Sequence, residues 1–287
     1  MRAIMIGDVV GDPGLDVLER LLPQLIREHA ADFIVVNGEN AAGGFGLTAP
    51  HLEKIFAAGA DVVTGGNHIW EKREFMPVLD SEKRVLRPMN YPAGSPGRGW
   101  VKIEKPSGSG IDWIVVNLQG REFMTALDCP FRAFDTFFEE KNARAPNLDA
   151  LLDTDGKLPQ NLLEFPQAKP IILVDFHAES SREKESLAYY LDGRADVVAG
   201  THTHVQTADD RILPKGTAYI TDLGMTGVIN GIIGMNPKIC LDRARNQVLY
   251  RMEVAAADEG SKTAVQGIIV EFEAKSRKAV SVKRLNA

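Results

Sequence analysis

Short apolar runs recur through the first 220 residues, and each is followed by a turn rich in glycine or polar residues. Several of these runs consist mostly of valine and isoleucine, which is typical of strands buried on both faces of a parallel sheet. The predicted strands span residues 3–6, 33–36, 62–64, 114–116, 171–174, 197–199 and 218–220.

Helical patterns lie between these runs. In residues 13–29 the leucine and isoleucine positions recur at intervals of three and four, which predicts a helix with one buried face. Shorter helices are predicted at residues 49–58 and 184–191. Strands that alternate with helices in this way are typical of an α/β fold.

The end of the chain has a different pattern. Residues 248–254, 266–273 and 279–285 are predicted strands with no helix between them, which favours antiparallel pairing. We interpret residues 1–287 as a single domain, in which the acidic, proline-containing segment 145–169 is a surface insertion.

The composition is that of an ordinary globular chain, with 287 residues, 44% of them hydrophobic, and a formal net charge of −6. No apolar run reaches the roughly 18 residues that a membrane helix needs, so we expect no membrane partner. Cys129 and Cys240 belong to no Cys-x-x-Cys pair, which favours two free thiols and a cytoplasmic location. The negative net charge argues against a broad surface for duplex nucleic acid.

Side chains that can bind metal follow the predicted strands. Residues 60–67 align without a gap with residues 195–202, and each segment leads from a strand through glycine to asparagine or histidine. In open α/β sheets, ligands bind at the carboxyl ends of the strands. The polar residues at these ends are Asp8, Glu39, Asn40, Asn67, His68, His177, His202 and His204.

Taken singly, these residues also have ordinary structural interpretations. Glu39 could cap a helix, and His177 could be a hydrogen-bonded core residue. The segment His202-Thr203-His204 is a stronger signal, because alternate side chains of an extended segment share a face. Together, the imidazole, carboxylate and amide groups predict a site for Mn, Fe, Zn or Ni, and seven candidate ligands favour two ions over one.

The order of these motifs resembles that of the calcineurin-like metallophosphoesterases. The motifs are Gly7-Asp8, Gly38-Glu39-Asn40, Gly66-Asn67-His68, His177 and Gly200-Thr201-His202-Thr203-His204. Segments 175–179, 200–209 and 221–227 are similar to the bacterial YmdB-like branch, which is described as phosphodiesterases acting on cyclic nucleotides. The resemblance implies a four-layer α/β/β/α sandwich, in which two mixed β-sheets flanked by helices carry a dinuclear metal centre at their strand ends.

The resemblance also implies a role for each site residue. The implied ligands are Asp8, Asn40 and His204 for the first ion, Asn67, His177 and His202 for the second, and Glu39 between the two. His68 would be the catalytic acid that protonates the leaving oxygen. Val10 stands where the wider superfamily has a histidine, and Asn40 is its natural substitute. Glu39 stands where the superfamily usually has aspartate.

The sequence therefore predicts a phosphodiesterase that uses two transition-metal ions, iron or manganese. A hydroxide bridged between the ions would attack a small phosphodiester substrate, a 2′,3′- or 3′,5′-cyclic nucleotide. One alternative is a phosphomonoesterase or nucleotidase built on the same centre. Another is a regulatory protein that binds a nucleotide or an RNA-processing partner. A homo-oligomer is compatible with each of these functions.

Overall fold

A computed structural model of the chain describes residues 1–104, 112–143, 170–274 and 276–287. Its strands are β1 (Arg2–Ile6), β2 (Asp8–Val9), β3 (Phe33–Asn37), β4 (Val62–Thr64), β5 (Trp100–Glu104), β6 (Asp112–Gln119), β7 (Ile171–His177), β8 (Val197–Thr201), β9 (Arg211–Ile212), β10 (Ala218–Ile220), β11 (Met225–Val228), β12 (Thr263–Phe272) and β13 (Ala279–Asn286). Its α-helices are α1 (Gly11–His29), α2 (Ala49–Ala57), α3 (Met76–Ser81), α4 (Pro130–Ala143), α5 (Ser181–Leu191) and α6 (Pro237–Asn246). None of the helices in these ranges is both long and apolar enough to span a membrane.

The longest helix follows the predicted pattern. Its leucines at positions 15, 18 and 22 are buried, as the spacing predicts. The helix begins at Gly11, two residues earlier than predicted, because Pro13 falls in the first turn, where a helix needs no amide hydrogen. It ends at His29, and the next residue, Ala30, has a left-handed φ of 45° and donates from its amide to the carbonyl of Arg27.

The strands form two mixed sheets. The first has the order β2-β11-β12-β1-β3-β4, and β13 also pairs with β12. The second has the order β5-β6-β7-β8-β10-β9. Strands β1, β3 and β4 run parallel, as do β6, β7, β8 and β10, so the carboxyl ends within each group meet at one edge.

Apolar side chains fill three layers between the sheets and helices. Between the two sheets, Phe33 of β3 stacks on Trp113 of β6 with ring centroids 4.7 Å apart. Helices α1 and α2 cover the outer face of the first sheet. Helices α4 and α5 cover that of the second sheet, where Phe134 and Leu187 are buried. The predicted four-layer α/β/β/α sandwich is confirmed.

The repeated segments 60–67 and 195–202 share a structural feature besides the candidate ligands at their ends. The Asp61 carboxylate accepts a 2.8 Å hydrogen bond from the Ile34 amide of the neighbouring strand. The Asp196 carboxylate accepts one of 2.8 Å from the Ile172 amide. Each aspartate thus ties the start of its strand to the start of the adjacent parallel strand, and part of the repeat is explained by the sheet itself.

The prediction for the end of the chain was right for two strands and wrong for one. Strands β12 and β13 pair antiparallel, as expected. Residues 248–254 form no strand, and only Val254 makes an isolated bridge, to Met235. The apolar side chains at the start of this segment are exposed, Leu249 by 86%, whereas Met252 and Val254 pack beside Met225 and Met235. The predicted insertion 145–169 lies outside the described residues. Cys129 and Cys240 are free thiols, as predicted.

Candidate metal centre

The predicted site residues come from the strand ends of both sheets, where the sheets face each other. Asp8 lies in β2, directly after β1, and His177 is the last residue of β7. Glu39 and Asn40 follow β3, Asn67 and His68 follow β4, and His202 and His204 follow β8. The structure brings all eight residues to one edge of the sandwich. The amide of His202, for example, donates a hydrogen bond to Asp8, 194 residues earlier in the chain.

One group of donor atoms surrounds the ring of His177, which is fully buried. Its Nε2 lies 2.9 Å from Glu39 Oε1, 3.0 Å from Asn67 Oδ1 and 3.0 Å from His202 Nδ1. One ligand atom from each of Glu39, His177 and His202 lies within 4.8 Å of the others. These are the residues that the resemblance assigns to the second ion and to the bridge.

A second group surrounds the amide of Asn40. Its Nδ2 lies 3.4 Å from Asp8 Oδ1, 3.2 Å from Glu39 Oε1 and 3.2 Å from His204 Nε2. His204 Nε2 is 3.7 Å from Asp8 Oδ1. Rotation of the amide by 180° presents Oδ1 to the same space, so Asn40 can supply a neutral oxygen where Val10 supplies none. Glu39 belongs to both groups.

The charges of this pocket are unusual for a protein interior. Burial opposes ionisation of Glu39, but the charge of His177 and a hydrogen bond from it lower the pKa of Glu39 to about 2. Burial likewise opposes protonation of His177, but Glu39 and Asp8 raise the pKa of His177 to about 9. Burial raises the pKa of Asp8. The buried carboxylates therefore require a positive charge next to them.

The donor set fits transition-metal ions. Burial and the charge of His177 lower the pKa of His202 to about 3, so this ring is neutral and keeps a lone pair. Neutral imidazole, carboxylate and amide oxygen are ligands that Fe and Mn accept. A cation bound here would supply the positive charge that His177 provides in its absence.

Gly66 makes the close approach of these groups possible. A Cβ atom at this position would lie 2.2 Å from Glu39 Oε2 and 2.4 Å from His177 Nε2. Its neighbour Asn67 then turns its amide oxygen to His177. The glycine before Asn67-His68 is therefore required by the space that the ligand groups occupy.

The turn that carries His202 and His204 is strained. Their φ angles are 96° and 63°, in the left-handed region that bulky residues avoid, at a cost of about 1–3 kcal/mol each. Thr203, between them, donates from its amide and its hydroxyl to Asp222 Oδ2, at 3.2 and 2.7 Å. The same oxygen accepts a 2.6 Å hydrogen bond from Lys184 Nζ. Both members of this ion pair are buried, and the pair stabilises the turn through the hydrogen bonds from Thr203 to Asp222.

We expect Lys184→Met to lower the free energy of unfolding by about 3–5 kcal/mol, because it leaves the buried charge of Asp222 without its partner. The matched control is Arg182→Met on the same helix. The side chain of Arg182 is 78% exposed and pairs with Glu122, so its loss should cost no more than about 1 kcal/mol. Urea unfolding measures both values, and equal losses would contradict this role of the buried pair.

His68 lies at the mouth of the site. Its amide donates to Glu39 Oε2 at 3.1 Å, and its side chain is 26% exposed. Nδ1 lies 3.4 Å from Glu71 Oε1, while Nε2 has no hydrogen-bond partner among the described residues. The ring packs edge-on against Phe45, with centroids 5.0 Å apart. This position leaves Nε2 available for proton transfer.

The sequence analysis missed a buried group behind His177. Its Nδ1 lies 3.0 Å from Thr201 Oγ1, which donates to Asp175 Oδ1 at 2.7 Å. Asp175 also accepts hydrogen bonds from Thr64 and Asn37. Burial raises the pKa of Asp175 to about 6. The available signal was a carboxylate inside the apolar run of β7, where such a group needs hydrogen-bond partners.

Comparison with known proteins identifies the family of this chain. A model of the family described as YmdB-like protein matches residues 4–285. A 2′,3′-cyclic-nucleotide 2′-phosphodiesterase of Bacillus subtilis is 41% identical over 285 residues, which are 99% of this chain and 96% of that protein.

Two solved structures are similar in fold to this chain. A hypothetical protein from Thermus thermophilus has a TM-score of 0.84 at 38% identity, with 100% of this chain and 99% of that chain covered. A novel phosphatase from Mycoplasma pneumoniae has a TM-score of 0.83 at 28% identity, with 100% and 93% covered. The resemblance inferred from the motifs is confirmed, and the chain belongs to the YmdB-like family.

Proposed function

We propose that this protein is a metal-dependent phosphodiesterase that hydrolyses 2′,3′-cyclic nucleotides. The observation that carries the proposal is the convergence of Glu39, Asn67 and His202 on His177 Nε2, beside the group formed by Asp8, Asn40 and His204. The Bacillus relative, named for its action on 2′,3′-cyclic nucleotides, favours this substrate over the 3′,5′ form.

The ligand assignment follows the two groups of donors. Asp8, Asn40 and His204 would hold the first ion and Asn67, His177 and His202 the second, and Glu39 would serve both. Iron or manganese suits this mixture of oxygen and imidazole donors. When bound, such a pair of cations supplies charge neutralisation for the phosphate and activation of water.

The side chains of the protein perform the remaining tasks. The buried carboxylate of Glu39 keeps the two donor groups together, and the space beside Gly66 lets them approach. His68 Nε2 donates a proton to the ribose oxygen as its bond to phosphorus breaks, so that a neutral hydroxyl leaves. The substrate is a small phosphodiester, and we place the reaction in the cytoplasm, where free thiols such as Cys129 and Cys240 persist.

Elemental analysis combined with ester hydrolysis tests this function. We expect about two transition-metal ions per chain. Hydrolysis of bis-p-nitrophenyl phosphate should exceed that of p-nitrophenyl phosphate, and 2′,3′-cyclic AMP should be opened to one monophosphate. Faster hydrolysis of the monoester would favour a phosphomonoesterase, as the name of the Mycoplasma relative suggests. A protein that stays inert after manganese or iron is added, yet binds the nucleotide, would favour a regulatory protein.

A further inference from the structure

The three histidines of the candidate centre each use one ring nitrogen for a contact outside it. His177 Nδ1 lies 3.0 Å from Thr201 Oγ1, and His204 Nδ1 lies 2.9 Å from the carbonyl oxygen of Ile233. In both rings, Nε2 faces the carboxylates of the site. The outer hydrogen bond of a histidine decides which nitrogen carries the proton and which keeps the lone pair.

His202 is oriented the other way round. Its Nδ1 lies 3.0 Å from His177 Nε2, whereas its Nε2 lies 3.1 Å from Glu179 Oε2. An ionised carboxylate can only accept a hydrogen bond, so a neutral ring in this position carries its proton on Nε2. The lone pair then lies on Nδ1, on the side of the metal ligands.

Glu179 has no other evident task. It lies directly before Ser180, the N-cap of α5, and its side chain is 49% exposed. Among the described residues, the contact with His202 is its only ion pair or side-chain hydrogen bond. A half-exposed glutamate contributes little to the core, so replacing it should leave the fold intact.

We propose that Glu179 is a positioning residue that holds His202 as its Nε2–H tautomer, with the Nδ1 lone pair directed towards the candidate metal centre. The proposal rests on the proposed function in taking His202 as a metal ligand. Carboxylates that accept a hydrogen bond from a ligating histidine orient the ring and raise its basicity, and their loss typically weakens metal binding by about 10–100-fold.

The tautomer can be measured directly by nitrogen-15 NMR of the full chain, stripped of metal and labelled at its six histidines. The His202 signals are identified by their loss in His202→Asn. We expect the Nε2–H form in the wild type and in Glu179→Gln, whose amide oxygen can accept the same hydrogen bond. Glu179→Ala should raise the share of the Nδ1–H tautomer, because only the contact of His202 Nδ1 with His177 Nε2 then opposes it.

Titration with Mn²⁺, with the free ion followed by electron paramagnetic resonance, measures the consequence for binding. Glu179→Ala should weaken one of two Mn²⁺ sites by about 10–100-fold, and Glu179→Gln should weaken it less. The matched control is Glu185→Ala on helix α5, which begins directly after Ser180. Glu185 is 51% exposed and pairs with Arg211, so this variant removes the same charge away from the site and should leave both Mn²⁺ sites unchanged.

An Nδ1–H tautomer of His202 in the wild type would overturn the proposal. It would also be overturned if Glu179→Ala and Glu185→Ala had the same tautomer and the same Mn²⁺ affinities. If the wild type bound no Mn²⁺ or iron at all, the proposed metal centre would fail, and the tautomer comparison would still decide whether Glu179 orients His202.

Discussion

Replacing Glu39 with glutamine should remove metal retention and hydrolysis together. The carboxylate of Glu39 is fully buried, with Oε1 2.9 Å from His177 Nε2 and Oε2 3.1 Å from the amide of His68. Glutamine has the same shape but no charge, and its NH₂ group would face one of these two donors. Loss of one partner of a buried charge pair costs about 3–5 kcal/mol, and a loss of that size in metal binding corresponds to about 10²- to 4 × 10³-fold in affinity. The metal content of the purified variant and its rates on both nitrophenyl esters measure the effect.

Two further variants separate loss of a ligand from loss of a buried carboxylate. Glu39→Asp keeps the charge and shortens the side chain by one methylene, so it should retain more metal than Glu39→Gln. Glu183 is a buried carboxylate that accepts hydrogen bonds from the amides of Arg121 and Glu122. Glu183→Gln should lower stability yet keep the metal. If Glu39→Gln also kept its metal and its activity, Glu39 would not be a ligand.

The candidate site was predictable because it depends on the strand ends. Within each sheet, parallel strands bring their carboxyl ends to one edge, so Glu39 and Asn67 lie together in the first sheet and His177 and His202 in the second. The number and the types of polar residues that follow the strands then predicted a metal site. Most strand positions were also predictable, because a strand that is buried on both faces consists almost entirely of apolar residues.

The supporting contacts could not be predicted in the same way. Lys184 lies on the same helix face as the buried Leu187 and Leu191, but lysine usually faces solvent. Its burial depends on Asp222, 38 residues later in the chain. Asp175 was visible as a carboxylate in an apolar run, but its partners Thr64 and Thr201 belong to different sheets. Such contacts depend on the packing of the two sheets against each other, which periodicity within one segment does not describe.

The errors at secondary-structure level have similar causes. Helix α4 was not predicted, although Phe134 and Phe137 have helical spacing and are buried against the second sheet. Residues 248–254 were predicted as a strand from apolar composition alone, but Val248, Leu249 and Tyr250 are exposed. An apolar run becomes a strand only where a neighbouring strand accepts its hydrogen bonds. Val254 has only an isolated bridge to Met235, which lies outside the described strands.

Replacing His68 with alanine should leave the metal in place and slow the reaction according to the leaving group. The side chain of His68 lies at the mouth of the site and contacts Phe45 and Glu71. Its link to the donor groups is a backbone amide that alanine retains. A positioned general acid contributes about 10²–10⁴-fold. We therefore expect a loss of that size with 2′,3′-cyclic AMP, whose ribose oxygen is a poor leaving group.

The nitrophenyl diester is the discriminating substrate, because nitrophenolate leaves without needing a proton. With bis-p-nitrophenyl phosphate, His68→Ala should lose much less activity than with the cyclic nucleotide. The control is His51→Ala, a histidine of similar exposure (21% against 26%) that contacts Thr48 and Asp12 outside the site. Its rates and metal content should match the wild type. Equal losses on both substrates in His68→Ala would instead mean that the ring binds the phosphate group, since phosphate binding contributes to both reactions alike.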